Sequence, residues 1–166
     1  MKIIVEIAAS CSKWKAHKDI MSRSFIKKVA DRVLSEFPAL LKVKTFELSL
    51  LLTDEEEMLR LNSQFRGRKK ATNVLSFPDT ELNMQHSLEL SPKLDYIYLG
   101  DIAFGYQVVY DESIAGDISF NDHFTHLLVH SILHLIGFDH QTKGEAERME
   151  ELEVKILKGF NINSPY

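Results

Sequence analysis

The sequence predicts a single α+β domain over residues 1–166, with one mixed β-sheet of about four strands packed with about five α-helices. Three observations predict it. Segments with a strand's two-residue period interleave with segments of helical period, in the order strand, helix, strand, helix, strand, strand, then helices. The 166 residues, 45% hydrophobic and 27% charged, are enough for one domain with a substantial core. One stretch, helical from about Ser119 to Ile136, is apolar around most of its circumference, so it belongs at the buried centre.

Composition also excludes some functions. A formal net charge of −4 argues against a chain coated in basic charge, though it leaves room for a local basic groove. The one cysteine, Cys11, rules out an internal disulfide and fits a reducing cytoplasm. The opening Met1-Lys2-Ile3-Ile4-Val5-Glu6 meets a charge too soon for an apolar targeting core. No apolar run is long enough to span a bilayer, and there is no internal repeat or low-complexity tract.

The elements follow in order. Residues 2–8 read as a strand, since Ile3, Ile4, Val5 and Ile7 are β-branched. Residues 11–21 are polar and read as a solvated loop anchored by Trp14. Lys13, Lys15 and Lys18 lie around that ring, a combination that can also grip a nucleic-acid strand. Ser24 is placed to cap a helix reaching about Phe37, with Ile26, Val29, Ala30, Val33, Leu34 and Phe37 at helical spacing and Pro38 beyond. Residues 43–52 read as a strand with Phe46, Leu48, Leu50 and Leu52 on one face.

Thr53-Asp54-Glu55-Glu56 has the capping-box pattern and opens a helix carrying Met58, Leu59 and Leu61. That helix ends near Arg66-Gly67, and Arg68, Lys69 and Lys70 extend the basic run. Residues 73–77 read as a strand closed by Pro78. Residues 79–95 form a long polar connection without a period, of a length often functional or mobile. A strand over 96–104, interrupted at Gly100-Asp101, leads to a helix over 106–115 ended by Gly116. After the central helix capped by Ser119, a last helix covers about 144–158. Met149, Leu152, Ile156 and Phe160 mark its buried face, and its glutamates read as solvated.

Chemistry concentrates on the central helix. At 100° per residue His123, His126, His130 and His134 fall in one narrow stripe, the only polar face that helix has. Such a stripe must look into a cavity or cleft. His130 and His134 are one turn apart, and Gly137 permits the left-handed backbone that ends a helix and lets His140 fold back toward them. Three neutral imidazoles with a position left open form a common catalytic zinc site. The spacing H-x3-H-x2-G-x2-H matches one class of metallopeptidase, but there a glutamate follows the first histidine as general base. Here that position is Ser131, which cannot take a proton from metal-bound water, so the peptidase reading is disfavoured.

Leu61-Asn62-Ser63-Gln64-Phe65-Arg66-Gly67, then Ala71-Thr72-Asn73-Val74-Leu75-Ser76-Phe77-Pro78, Leu99-Gly100-Asp101-Ile102 and His126 through His140 together form a specific pattern. In these segments the chain resembles the bacterial endoribonuclease YbeY family, the rRNA maturation factors. It departs from the family at Ser131, where glycine is usual, and at Ala71, where proline is common. The resemblance implies a single-strand-specific endoribonuclease dependent on one Zn2+ ion. It implies a role in 16S rRNA 3′-end maturation, ribosome biogenesis and ribosome quality control in the cytoplasm. Its partners would be single-stranded RNA, ribosomal RNA and the small ribosomal subunit or its associated proteins, with no membrane and no disulfide partner.

By position, the resemblance makes His130, His134 and His140 the metal ligands and Arg66 the catalytic or RNA-binding arginine. Arg68, Lys69 and Lys70 are further candidate RNA contacts. His126 is a candidate to orient a ligand or carry a proton, and Asp101 and Asp139 can each orient an imidazole by accepting its distal N–H. His17, His86 and His123 read as incidental. Two rival readings stand beside this one: a metallopeptidase-like hydrolase, and a non-catalytic ribosome assembly factor with a structural zinc.

Overall fold

Among the described residues the apolar runs of the chain form four strands and five α-helices. The structure, a computed structural model, describes residues 1–87, 89–90 and 94–166. Strands β1 (Lys2–Ala9), β2 (Thr45–Thr53), β3 (Val74–Pro78) and β4 (Tyr96–Gly105) make a mixed sheet ordered β1-β2-β4-β3. β1 and β4 flank β2 in parallel, and β3 pairs antiparallel to β4 as an edge strand. The helices are α1 (Arg23–Leu34), α2 (Glu55–Arg66), α3 (Tyr106–Ala115), α4 (Phe120–Leu135) and α5 (Lys143–Lys158). The expected α+β domain is what forms.

Strand alternation divides the helices between two faces. Phe46, Leu48, Leu50 and Leu52 of β2 join Ile102 and Phe104 of β4 in the main core, against α1 and α4. The intervening Leu51 and Ala103 face the other way, with Leu75, against Met58 and Leu61 of α2. α4 is buried along most of its length, from Phe124 to Leu135. Among the described residues no helix is long and apolar enough to cross a membrane.

Several local expectations are corrected. Residues 11–21 are not a solvated loop: Ser12–His17 is a 3₁₀ turn, and Trp14 is fully buried. Its indole Nε1–H donates to the Thr53 carbonyl at 3.0 Å, and Tyr106, Phe120, Phe124 and Phe104 surround the ring edge-on. A tryptophan committed to that cage cannot stack on a nucleic-acid base. Ser22, rather than Ser24, caps α1 by accepting from the Phe25 N–H, and the helix stops at Leu34. Asp54, rather than Thr53, caps α2, because Thr53 still belongs to β2 and its hydroxyl accepts from Ser10. β4 is not broken at Gly100 but carries a bulge there: the register against β2 slips between Glu47 and Leu48. A Cβ at Gly100 would stand 2.1 Å from the Phe77 carbonyl oxygen.

Leu88, Ser91, Pro92 and Lys93 of the 79–95 connection lie outside the described residues. Its described part is anchored against the end of α4. Met84 and Gln85 are buried, and the Met84 N–H donates to the Ile136 carbonyl at 2.9 Å. Gln85 accepts from the Asp139 N–H at 3.0 Å and donates to the Asp139 carbonyl at 2.9 Å.

The turn after α4 is a Schellman motif. The Phe138 N–H donates to Leu133 and the Gly137 N–H to His134, both at 3.0 Å. Gly137 has φ of 96°, and a Cβ there would stand 2.0 Å from the Leu82 carbonyl oxygen. Gly137→Ala therefore has to displace residues 82–83 as well as strain its own backbone. It should lower stability by about 2 kcal/mol or more in denaturant unfolding. An unchanged midpoint would contradict the close approach.

Candidate metal centre

The four histidines of α4 stand where their spacing put them, on the one stripe of the helix that is not packed into core. His126, His130 and His134 line a cleft of about 950 Å³, together with His140 from the turn beyond Gly137. Arg66, Arg68 and Lys70 contribute to the same cleft from the end of α2 and the loop after it. Lys69 is exposed and does not line it. β3 runs between the two walls, contributing Val74, Leu75, Ser76 and Pro78.

His130, His134 and His140 each offer a ring nitrogen such that all three nitrogens lie within 4.8 Å of one another. Their orientation has identifiable causes. The Nδ1 of His134 lies 2.8 Å from the Phe138 carbonyl, and the Nδ1 of His130 lies 2.6 Å from Oε1 of Glu153. A carbonyl and a carboxylate can only accept, so each Nδ1 carries the proton and each Nε2 of the neutral ring carries a lone pair. Those two Nε2 atoms nevertheless face each other at 3.0 Å. Two lone pairs at that distance need a proton or a metal ion between or beside them, and His140 brings a third donor to the same point. Nitrogens at ~2.0–2.1 Å from one tetrahedral zinc ion stand about 3.3 Å apart, close to what is seen. The donor set fits a metal ion.

The glutamates of the last helix read as solvated, and Glu153 is the largest correction. Its carboxylate has no exposed surface, and it takes hydrogen bonds from His130, from His126 Nε2 at 3.2 Å and from the Tyr166 hydroxyl. Burial acts to raise its pKa, but the donors from His126 and His130 outweigh burial and hold it down to about 2. The sequence does carry a signal: Met149, Leu152 and Ile156 mark the buried face of α5, and residue 153 falls within that stripe. Tyr166, whose ring meets His126 edge-on at 5.7 Å, gives no such signal.

Of the two candidate aspartates, Asp139 lines the cleft and Asp101 does not. Asp101 accepts from the Tyr98 hydroxyl at 2.9 Å. Asp139 shapes its own turn, accepting from the His140 N–H and the Gln141 side chain, both at 2.8 Å. Among the described residues neither carboxylate meets an imidazole nitrogen; Glu153 and the Phe138 carbonyl do. His123 is not solitary either: its Nε2 lies 2.7 Å from Glu112, both of whose carboxylate oxygens also accept from the Asn73 side-chain amide. Burial opposes ionisation of Glu112, and those donors override it and lower its pKa. His17 stacks on Phe120 at 3.8 Å, and His86 pairs with Glu145. Arg66 places Nη2 on the Ser76 carbonyl at 3.1 Å, which holds the guanidinium at the rim of the cleft opposite the histidines.

Fold and site together define an α+β domain that gathers three imidazoles on a helix–turn across a cleft from a cluster of cations. The family model described as endoribonuclease YbeY matches residues 11–161. The chain is also 47% identical over 119 residues to the endoribonuclease YbeY of Chelativorans sp. (strain BNC1), covering 72% of this chain and 69% of that one. The chain therefore belongs to the YbeY family. Among solved structures it is similar to the solution structure of TM1509 from Thermotoga maritima, with a TM-score of 0.54 over 95% of this chain and 92% of that one. At 19% identity that likeness concerns the fold alone.

Burial lowers the pKa of His134 from 6.5 to about 4, with neighbouring His130 adding to the effect and the Phe138 carbonyl resisting it. The sign of the consequence follows. Between pH 6.5 and 4 the unfolded chain takes up a proton that the folded chain refuses. This contribution to stability is complete above about pH 6.5 and is lost as pH falls toward 4, amounting to at most about 3 kcal/mol. Denaturant midpoints of the metal-free protein should therefore fall over that window, and His134→Gln should flatten the fall. An equal fall in both proteins would assign it elsewhere.

Proposed function

We propose that this chain is an endoribonuclease that cleaves single-stranded RNA, with one zinc ion held by His130, His134 and His140. The observation that carries the reading is the convergence of three imidazoles, with the Nε2 atoms of His130 and His134 facing each other at 3.0 Å, in one cleft with Arg66. Membership of the YbeY family supports the RNA substrate.

A bound zinc ion would supply Lewis acidity toward a phosphoryl oxygen and bring the pKa of its water toward ~7. The chain's own residues do the rest. Glu153 and the Phe138 carbonyl keep the protons of His130 and His134 on Nδ1 and so keep Nε2 available as a donor to the ion. His126, bonded through Nε2 to Glu153, holds that carboxylate in place. Arg66 carries a permanent charge with a planar fork of donors, which suits a phosphodiester that gains negative charge in its transition state. Arg68 and Lys70 extend the cationic wall for neighbouring phosphates, and Lys69 adds to the potential from outside the cleft.

Residues 1–166 act as one such domain in this reading. Its work is 16S rRNA 3′-end maturation, ribosome biogenesis and ribosome quality control in the cytoplasm, on ribosomal RNA and beside the small ribosomal subunit or its proteins. The peptidase alternative is opposed by Ser131, which is wholly buried and does not line the cleft, so it cannot serve as a base there. A purely structural zinc is opposed by the extent of the core, which runs from β1 to α5 without help from the histidines.

Two measurements test the reading. His134→Ala should lose bound zinc and single-stranded RNA cleavage together, and a chelator should abolish cleavage in the wild type while the far-UV circular dichroism survives. Cleavage by a metal-free variant, or unfolding on chelation, would count against it. Glu153→Gln, which weakens the acceptor behind His130, should lower zinc affinity about 10–100-fold, read by competition with a chromogenic chelator. Unchanged affinity would remove Glu153 from the role.

A further inference from the structure

The free edge of β3 faces the cleft, and its backbone groups can be accounted for one by one. The Gly105 N–H donates to the Asn73 carbonyl at 2.9 Å and the Asp79 N–H to the Leu99 carbonyl at 3.1 Å. Leu75 stands opposite Ala103 and Phe77 opposite Asp101. In an antiparallel ladder hydrogen-bonded residues alternate, so residues 73, 75, 77 and 79 turn toward β4. Val74, Ser76 and Pro78 turn their backbone groups off the sheet, and all three line the cleft, as Leu75 also does.

That edge is largely blocked. The Asn73 side chain takes the Val74 N–H at 2.6 Å, and Arg66 takes the Ser76 carbonyl at 3.1 Å. Pro78 has no N–H to give. No edge residue therefore offers both its N–H and its C=O, which a pairing peptide strand would need. One donor is left over: by the ladder's alternation the Ser76 N–H points off the sheet into the cleft, where no side chain among the described residues accepts it. Ser76 lines the cleft, so this N–H is open to water or to an acceptor on a ligand that enters it.

We infer that the Ser76 main-chain N–H and the Arg66 guanidinium together form a docking point for one phosphate of the RNA strand, on the edge of β3 facing the histidines. This rests on the RNA-cleaving reading above. The chemistry is matched: a phosphate oxygen only accepts, and charge-assisted bonds from a main-chain N–H and a guanidinium are the strong kind. The two donors are linked mechanically, because the carbonyl that holds Arg66 belongs to the residue whose N–H is open. The blocked edge turns away an extended peptide while leaving a single anion-binding donor, which favours nucleic acid over polypeptide at this wall.

Ser76→Pro deletes the N–H at an edge position where proline is tolerated, whereas Ser76→Ala deletes only the hydroxyl. KM for cleavage of a labelled single-stranded RNA, measured from about 50 to 200 mM salt, separates the contributions. Ser76→Pro should raise KM about tenfold or more beyond Ser76→Ala. It should leave the salt dependence of KM as in the wild type, because an uncharged donor displaces no counterion. Arg66→Ala should make that dependence shallower by about 0.7 in the log–log slope. Equal losses in the proline and alanine variants, or a proline variant with the shallow slope of Arg66→Ala, would overturn the docking point. If Ser76→Pro does not fold, the amide proton of Ser76 in the wild type decides: a downfield shift on adding the RNA supports the assignment and its constancy overturns it. Failure of the wild type to cleave RNA at all would instead bring down the reading on which this one rests.

Discussion

A carboxylate with no exposed surface governs the site. Glu153 lies in the seam where α5 meets the only polar stripe of α4, and its charge must be matched from within the protein. His126, His130 and Tyr166 match it. That requirement fixes the proton of His130 on Nδ1, just as the Phe138 carbonyl fixes the proton of His134. The Nε2 lone pairs are then left facing one another. The buried charge thus explains why α4 tolerates His126 and His130 in a domain core, and together with the Phe138 carbonyl it explains why His130 and His134 present acceptors, not donors, to the cleft.

The third imidazole depends on a different constraint. His140 reaches the other two only because α4 ends in a Schellman turn with Gly137 in the left-handed region. That turn is clamped from outside by Leu82, Met84 and Gln85, through contacts with Gly137, Ile136 and Asp139. Gln85 and Asp139 are 54 residues apart in sequence, yet they share one geometry. The entropy cost of closing so long a loop grows only slowly with its length. Gln85 contributes without touching an imidazole: it satisfies both backbone groups of Asp139 and so sets the direction in which His140 leaves the turn.

Much of this was legible in the sequence. Periodicity located β2, α1 and α4, because burial of one face leaves a periodic trace, while β-branched residues marked β1 and breaker residues bounded β3 and α3. The histidine stripe and Gly137 were legible because i, i+4 spacing and a positive φ are both local properties. What was missed depends on tertiary partners. Trp14 looked like the anchor of a wet loop because the four aromatic rings that enclose it come from β4, α3 and α4, far along the chain. Glu153 looked solvated because a glutamate among glutamates carries no mark of burial except its place in the apolar stripe. Asp139 looked like an orienting carboxylate, yet a main-chain carbonyl took that role, and main-chain groups leave no signature in residue identity. Cap positions slipped by one or two residues where Ser22 and Asp54 competed with equally suitable neighbours.

A chain of net charge −4 can still present a cationic wall to a polyanion if its charges are sorted in space. α2 does this within a single element. Glu55, Glu56 and Glu57 occupy its first turn and Arg66 its last, each sign at the end of the helix dipole that favours it. Gly67 then reverses the chain in the left-handed region, and the buried Asn62 holds the loop by donating to the Lys70 carbonyl at 2.8 Å. The acidic end of α2 thus points away from the cleft and the basic end into it. The one carboxylate among the cleft's lining residues, Asp139, is turned to the His140 N–H and the Gln141 side chain, and Glu153 behind the wall is sealed beneath histidines that match its charge. The same arrangement that stabilises the helix ends therefore gives the cleft its sign, so the proposed affinity for phosphate needs no excess of basic residues in the chain as a whole.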